Sequence, residues 1–252
     1  MVDKIKVAIS SFVITTLEND AYRYSFVKNN KANKNALLNK LIPILMELRQ
    51  EKRERLVQIL KYDYNRSDAD NVCDAVNSVV DKIYYYDEEL DVLDDYLWIR
   101  PSKENISVFD EIKSSEIHIT SQTISEFIRG LLNEYSRLPQ YKREELVYKR
   151  EYDVFKQGYF DNRVVYFTDS NDNRRYKVFP LAYYYEHLYE QVDYCVFYDI
   201  KNNKIRSVRL SDIKNAYMIK EKFYPSDKII NKQKEYTDKL DFESEVIVGE
   251  LV

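Results

Sequence analysis

The chain is poor in the residues from which most catalytic and structural sites are built. Its 252 residues include 2 cysteines, 2 histidines, 3 glycines and 1 tryptophan. Two thiols as far apart as Cys73 and Cys195 make neither a disulfide framework nor a zinc site. Both read as small buried apolar residues. Gly130, Gly158 and Gly249 are the only glycines, so no glycine-rich loop can cradle a phosphate. His118 and His187 are isolated, and no nucleophile elbow or metal-ligand spacing occurs. The chain is therefore read as non-enzymatic and without a cofactor. No apolar run approaches the roughly 18 residues of a membrane span. The start, MVDKIKVAIS, interrupts its apolar residues with charge and has no cleavage signature. It is not read as a signal peptide, and the protein is expected in the cytoplasm.

What is present is charge, tyrosine and clear periodicity. Charged residues make up 33% and apolar residues 44%, enough for a soluble surface and real cores. The formal net charge of −4 does not favour nucleic acid. Charge is uneven, however: 84–97 is acidic, whereas 49–55 (RQEKRER) and 171–177 (NDNRRYK) are mainly basic, and an acidic protein can carry a basic face. The 24 tyrosines offer both a stacking face and a hydroxyl, which suits single-stranded nucleic acid. AT-rich coding, consistent with the abundant Lys, Asn and Ile, would also explain them.

One pattern occurs twice at an offset of 90 residues: a short alternating strand, an amphipathic helix, and a second amphipathic helix with a polar start. Val7 and Ile9 correspond to Leu97 and Ile99; Leu38, Leu41 and Ile42 correspond to Ile128, Leu131 and Leu132. A strand and two helices cannot bury their apolar faces alone, so the copies are expected to pack on each other. Asn33 or Asn35 can cap the second helix of the first copy, and Pro43 is placed to kink it. In the second copy Ser121 or Thr123 is the cap, and Glu126 completes the capping-box spacing with Thr123. Residues 53–93 read as a helical insertion, and 141–160 as a linking helix after a break at Pro139. From about 162 the period becomes two, with turns at 170–173 and 201–203, which predicts five or six short antiparallel strands. The tail reads as a helix starting near Ser226, followed by the strand EVIVGELV.

These segments resemble known families. The repeated strand–helix–helix resembles the ribbon-helix-helix fold, here with both copies in one chain as a pseudo-dimer spanning 1–140. Residues 161–224 resemble the WYL domain, an Sm-like (SH3-like) antiparallel β-barrel of bacterial regulators. The match lies in 178–219: Pro180 before a strand, Tyr194 within the name-giving triplet, Arg206 and Arg209 in the next strand, then Leu210 and Ile213. Asp193 and Cys195 replace the triplet's Trp and Leu, and Asp212 replaces an arginine, so the pocket is altered. The whole order, with a C-terminal element at 225–252, resembles the WYL accessory proteins of type VI-D CRISPR loci. Those bind single-stranded RNA and stimulate an RNA-guided RNase.

The resemblance implies an α+β chain that binds single-stranded RNA, or DNA, and acts with a CRISPR effector nuclease. Residues 225–252 are expected to form a homodimer. The alternative is a WYL transcription regulator whose ribbon reads duplex DNA and whose WYL domain senses a ligand. The candidate contacts on the ribbon are Lys4, Lys6, Tyr96, Trp98 and Arg100, with Ala8 and Ser10 on the same outward side. In the barrel, Arg174, Arg175, Arg206 and Arg209 suit phosphates, and Tyr183, Tyr185 and Tyr194 offer ring faces. The two ribbon halves carry different outward residues, which favours a single-stranded or asymmetric target over a palindromic duplex.

Overall fold

The computed structural model describes residues 4–64, 92–116, 123–182 and 194–240. The chain is α+β and divides into two compact units, Met1–Leu138 and Pro139–Val252. Among the described residues no helix is long and apolar enough to cross a membrane.

In the first unit, strand β1 (Ile5–Ile9) leads into helix α1 (Ser11–Arg23). A hairpin of β2 (Val27–Lys28) and β3 (Lys31–Ala32) follows. Asn29 and Asn30 make its turn with φ of 53° and 57°, left-handed conformations that asparagine tolerates best after glycine. Helix α2 spans Lys34–Tyr64. After the segment 65–91, which holds most of the expected insertion and lies outside the described residues, come β4 (Asp95–Ile99) and α3 (Ile106–Glu111). Helix α4 spans Ile124–Arg137.

Strands β1 and β4 pair antiparallel, with Ile5 opposite Ile99, Val7 opposite Leu97 and Ile9 opposite Asp95. Val7 thus faces its own repeat equivalent, placing the repeat's pseudo-twofold at the centre of the ribbon. Period-two alternation buries Val7, Ile9, Leu97 and Ile99 and exposes Lys6, Tyr96 and Trp98. The corresponding residues Leu38, Leu41 and Ile42 of α2 and Ile128, Leu131 and Leu132 of α4 are all buried.

The caps obey the same offset. Asn33 Oδ1 accepts from the Ala36 amide at 3.2 Å, and Thr123 Oγ1 accepts from the Glu126 amide at 3.2 Å. Glu126 returns a hydrogen bond by accepting from the Thr123 amide at 2.7 Å. Pro43 lies inside α2 without ending it. A proline there costs a backbone hydrogen bond, but Leu41, Ile42 and Leu45 beside it are buried and hold the turn in place.

Asp94 belongs to an acidic run that reads as solvated. Its carboxylate instead closes the N-terminus of α1, accepting from the Ser11 amide at 2.7 Å and the Ser11 hydroxyl at 2.5 Å. These two bonds hold its pKa below the usual carboxylate range.

In the second unit the expected linking helix is two helices, α5 (Gln140–Val147) and α6 (Lys149–Phe160), which meet at Tyr148. Pro139 sits just before the first of them, where its missing amide costs nothing. Strands β5 (Arg163–Asp169), β6 (Arg175–Ala182), β7 (Tyr194–Asp199), β8 (Lys204–Arg209) and β9 (Ile213–Lys222) form one antiparallel sheet in the order β8-β7-β6-β5-β9. Asn173 and Asn203 in the two predicted turns have φ of 55° and 57°.

The sheet is not the closed barrel expected. Its edge strands β8 and β9 are joined by a single helical turn, Leu210–Asp212, and do not pair with each other. One face is sealed by α6, whose Phe155 enters a core with Val165, Phe167, Val178, Phe197 and Val208. Helix α7 (Asp227–Leu240) covers part of the opposite face through Tyr236, buried among Phe179, Leu181, Val196 and Ile205. Its turn begins at Ser226, whose carbonyl accepts from the Ile229 amide at 2.9 Å. Ile229 of the same helix packs against that cluster, whereas Ile230 stays exposed. The strand EVIVGELV lies outside the described residues.

Candidate nucleic-acid interface

Two exposed surfaces hold the candidate residues, one on each unit. On the ribbon, Lys6 lies directly opposite Trp98, and Ala8 opposite Tyr96. The Lys6 Nζ stands 3.7 Å from the Tyr96 ring centroid and 5.7 Å from that of Trp98. Tyr96 and Trp98 are each 55% exposed. A lysine over two exposed rings makes a cation–π contact and still leaves ring area for another planar group. The end of β4 is held by α2: the Arg100 amide donates to Asn35 Oδ1 at 2.8 Å, and its carbonyl accepts from Asn39 Nδ2 at 3.0 Å. Arg100 and Lys4 are both exposed and flank the Ile5–Ile99 pair at the same end of the ribbon. Ser10, read as outward, is buried, because the chain has already turned into α1 there.

On the second unit, the sheet carries a groove of about 930 Å³. It is lined by Tyr166, Arg174, Arg175, Tyr176, Lys177, Asp199, Lys201, Asn202, Arg206, Tyr217 and Ile219, five basic side chains against one acid. The acid is occupied. The Asp199 carboxylate is buried, accepts from the amides of Lys201 and Asn202 at 3.1 Å each, and lies 3.7 Å from Arg206 Nε. Lys177 is bonded to Glu221 at 2.7 Å, which raises its pKa, and Arg174 lies 3.8 Å from Asp172.

The aromatic part of the groove is built across strands. Tyr166 of β5 pairs with Tyr217 of β9, and their rings stack at 5.5 Å between centroids and 13° between planes. The Arg175 guanidinium carbon lies 4.9 Å from the Tyr166 centroid and 5.4 Å from that of Tyr217. Tyr176 donates to Asp172 Oδ2 at 2.8 Å. Burial, and then that hydrogen bond, push its phenol up to about 12, so it remains a neutral donor at ordinary pH.

Of the residues singled out from sequence, Arg174, Arg175 and Arg206 therefore meet in one groove, and Lys6, Tyr96 and Trp98 meet on the ribbon. Arg209 is drawn away to Glu144, whose carboxylate is fully buried 3.3 Å from its Nε. Tyr194 is buried in the sheet and offers no ring face. Tyr183 and Tyr185 lie outside the described residues. Sequence reasoning missed Tyr166, Tyr217, Tyr176, Lys177 and Lys201. Alternation places Tyr166 on the face opposite Val165 and Phe167, but not beside Tyr217, because that requires the pairing of β5 with β9.

No family model matches the chain, and no curated protein matches its sequence. Among solved structures it is similar to a crystal structure of a CRISPR Cas-related protein, with a TM-score of 0.62 and 14% identity. The similarity covers 94% of this chain and 67% of that one. At such low identity the likeness shows a shared fold and nothing finer.

Proposed function

We propose that this chain is a non-enzymatic accessory protein that binds nucleic acid, prefers single-stranded RNA, and modulates an RNA-guided CRISPR RNase. The observation that carries this reading is the second unit's groove, where five basic side chains border three tyrosines and the lining carboxylate is already satisfied. Cationic walls hold a phosphate backbone, and ring faces receive bases that are not paired. The exposed Tyr96 and Trp98 beside Lys6 repeat that chemistry on the ribbon, with unequal halves that do not suit a palindromic duplex. The CRISPR Cas-related structural neighbour supports the choice of system. In this reading the first unit is a tandem ribbon-helix-helix pseudo-dimer, and the second a WYL domain whose sheet is open. Residues 225–252, the helix at 226–238 together with the last strand, mediate a homodimer.

Binding to matched single-stranded RNA, single-stranded DNA and duplex DNA at two salt concentrations tests the reading. The expected order is RNA tightest and duplex weakest, with affinity falling as salt rises. Tighter binding to duplex DNA would favour a transcription regulator instead. RNA cleavage by a type VI-D effector with and without the protein tests the partner, and the mass in solution tests the dimer.

A further inference from the structure

The groove's three arginines are not equivalent, and the difference assigns them separate work. Arg174 and Arg206 each have a carboxylate within 4.0 Å, from Asp172 and Asp199 respectively. Among the described residues no carboxylate pairs with Arg175. Its guanidinium rests instead on the stacked Tyr166 and Tyr217. The three side chains come from adjacent strands: β6 and β9 flank β5, and Arg175 pairs with Thr168, one step diagonal from Tyr166. Two rings held parallel fix the guanidinium's position, and Arg175 remains exposed. A planar cation with one side against aromatic rings presents its other side as a flat surface. That surface matches an unpaired nucleobase, which can stack on it while its phosphates reach neighbouring charges.

Resting on the reading that this groove binds single-stranded RNA, we propose that Arg175 on the Tyr166–Tyr217 pair is its base-stacking subsite. One unpaired base lies on the guanidinium, and Arg174 and Lys201 hold the flanking phosphates. Recognition is through the base plane, so it tolerates any sequence and favours purines for their larger face. A duplex is excluded because its bases show only their edges. Arg175 is then a stacking residue and not a phosphate clamp.

Lysine keeps the charge of arginine and removes its plane, so Arg175→Lys separates the two roles. The probe is a short single-stranded RNA carrying one 2-aminopurine, whose fluorescence falls when that base stacks. With wild-type protein, binding should quench the probe, and an abasic site at the same position should weaken binding about tenfold. Arg175→Lys should lose about tenfold in affinity and most of the quench, with the salt dependence unchanged. Tyr217→Phe should behave as wild type and Tyr217→Leu as Arg175→Lys. Full affinity and quench in Arg175→Lys would overturn the subsite while leaving RNA binding in place. Failure of the wild-type protein to bind RNA would overturn the functional reading itself.

Discussion

Gly158 sits in the last turn of α6, where the helix meets β5 and β6. A Cβ there would stand 2.6 Å from Val165 Cγ2, 3.1 Å from Pro180 Cγ and 3.4 Å from the Arg163 carbonyl oxygen. Non-bonded carbons settle at about 3.5–4.0 Å, so Gly158→Ala forces a shift. Neither neighbour gives way easily. Val165 is fully buried and its β-branch restricts χ1, and the Pro180 ring is fixed and buried in the sheet. Overpacking costs about 1–3 kcal/mol, and alanine recovers about 1 kcal/mol of helix propensity. The expected net loss is about 0–2 kcal/mol, read as a lower urea midpoint of the second unit with unchanged slope. A double-mutant cycle isolates the cause. In a Val165→Ala background the closest contact is gone and only the 3.1 Å approach to Pro180 remains, so the loss from Gly158→Ala should shrink toward zero. An equal loss in both backgrounds, or a gain in the wild-type one, would refute the argument that this glycine sets the distance between α6 and the sheet.

Thr123→Ala removes the capping box of α4 and should destabilise the first unit by about 1 kcal/mol, followed by the fluorescence of Trp98, the only tryptophan. Acid should weaken the same unit. Hydrogen bonds from Ser11 and from Thr123 hold the Asp94 and Glu126 carboxyls below their ordinary values of 3.8 and 4.5. Their contribution is therefore present above those values and is lost as pH falls through and below them. Urea midpoints at pH 7 and pH 3 should thus differ less in Asp94→Asn and Glu126→Gln than in the wild type. Asp169 behaves oppositely, since burial raises its pKa; Asp169→Asn, which keeps an oxygen for the Asn171 amide, should hold or raise the stability of the second unit at neutral pH. Trp98→Ala should change stability by less than about 0.5 kcal/mol, because the ring is largely exposed, yet weaken single-stranded RNA binding about fivefold or more. Unchanged affinity, measured by titration of a labelled RNA, would remove the ribbon from the interface.

Much of the fold was legible because it is written in local periodicity. The offset of 90 placed both strands and both second helices, whereas the caps were narrowed only to Asn33 or Asn35 and Ser121 or Thr123, and the pairing of Val7 with Leu97 came from the structure. Residues whose partners are set by long-range packing were not legible. Asp94 reads as one more solvated acid until β4 is laid beside β1, when it meets the start of α1. The barrel expectation failed on a similar point: alternation counts strands but does not say whether the first and last edges meet. Here Leu210–Asp212 turns the chain away from β8, so that β9 joins β5 at the far edge.

The candidate site divides in the same way. The sequence by itself determined which residues point outward on the ribbon, since alternation from the buried Val7 and Leu97 leaves Lys6, Tyr96 and Trp98 no other side. It also marked Arg174, Arg175, Arg206 and Arg209 as candidate phosphate contacts. Only the tertiary structure decided that Arg209 is taken by the buried Glu144, and that Tyr166 and Tyr217 form a floor under Arg175. A side chain's direction is a property of its own strand. Its neighbours depend on which strands are adjacent and in what register, and that is settled by burying one shared core.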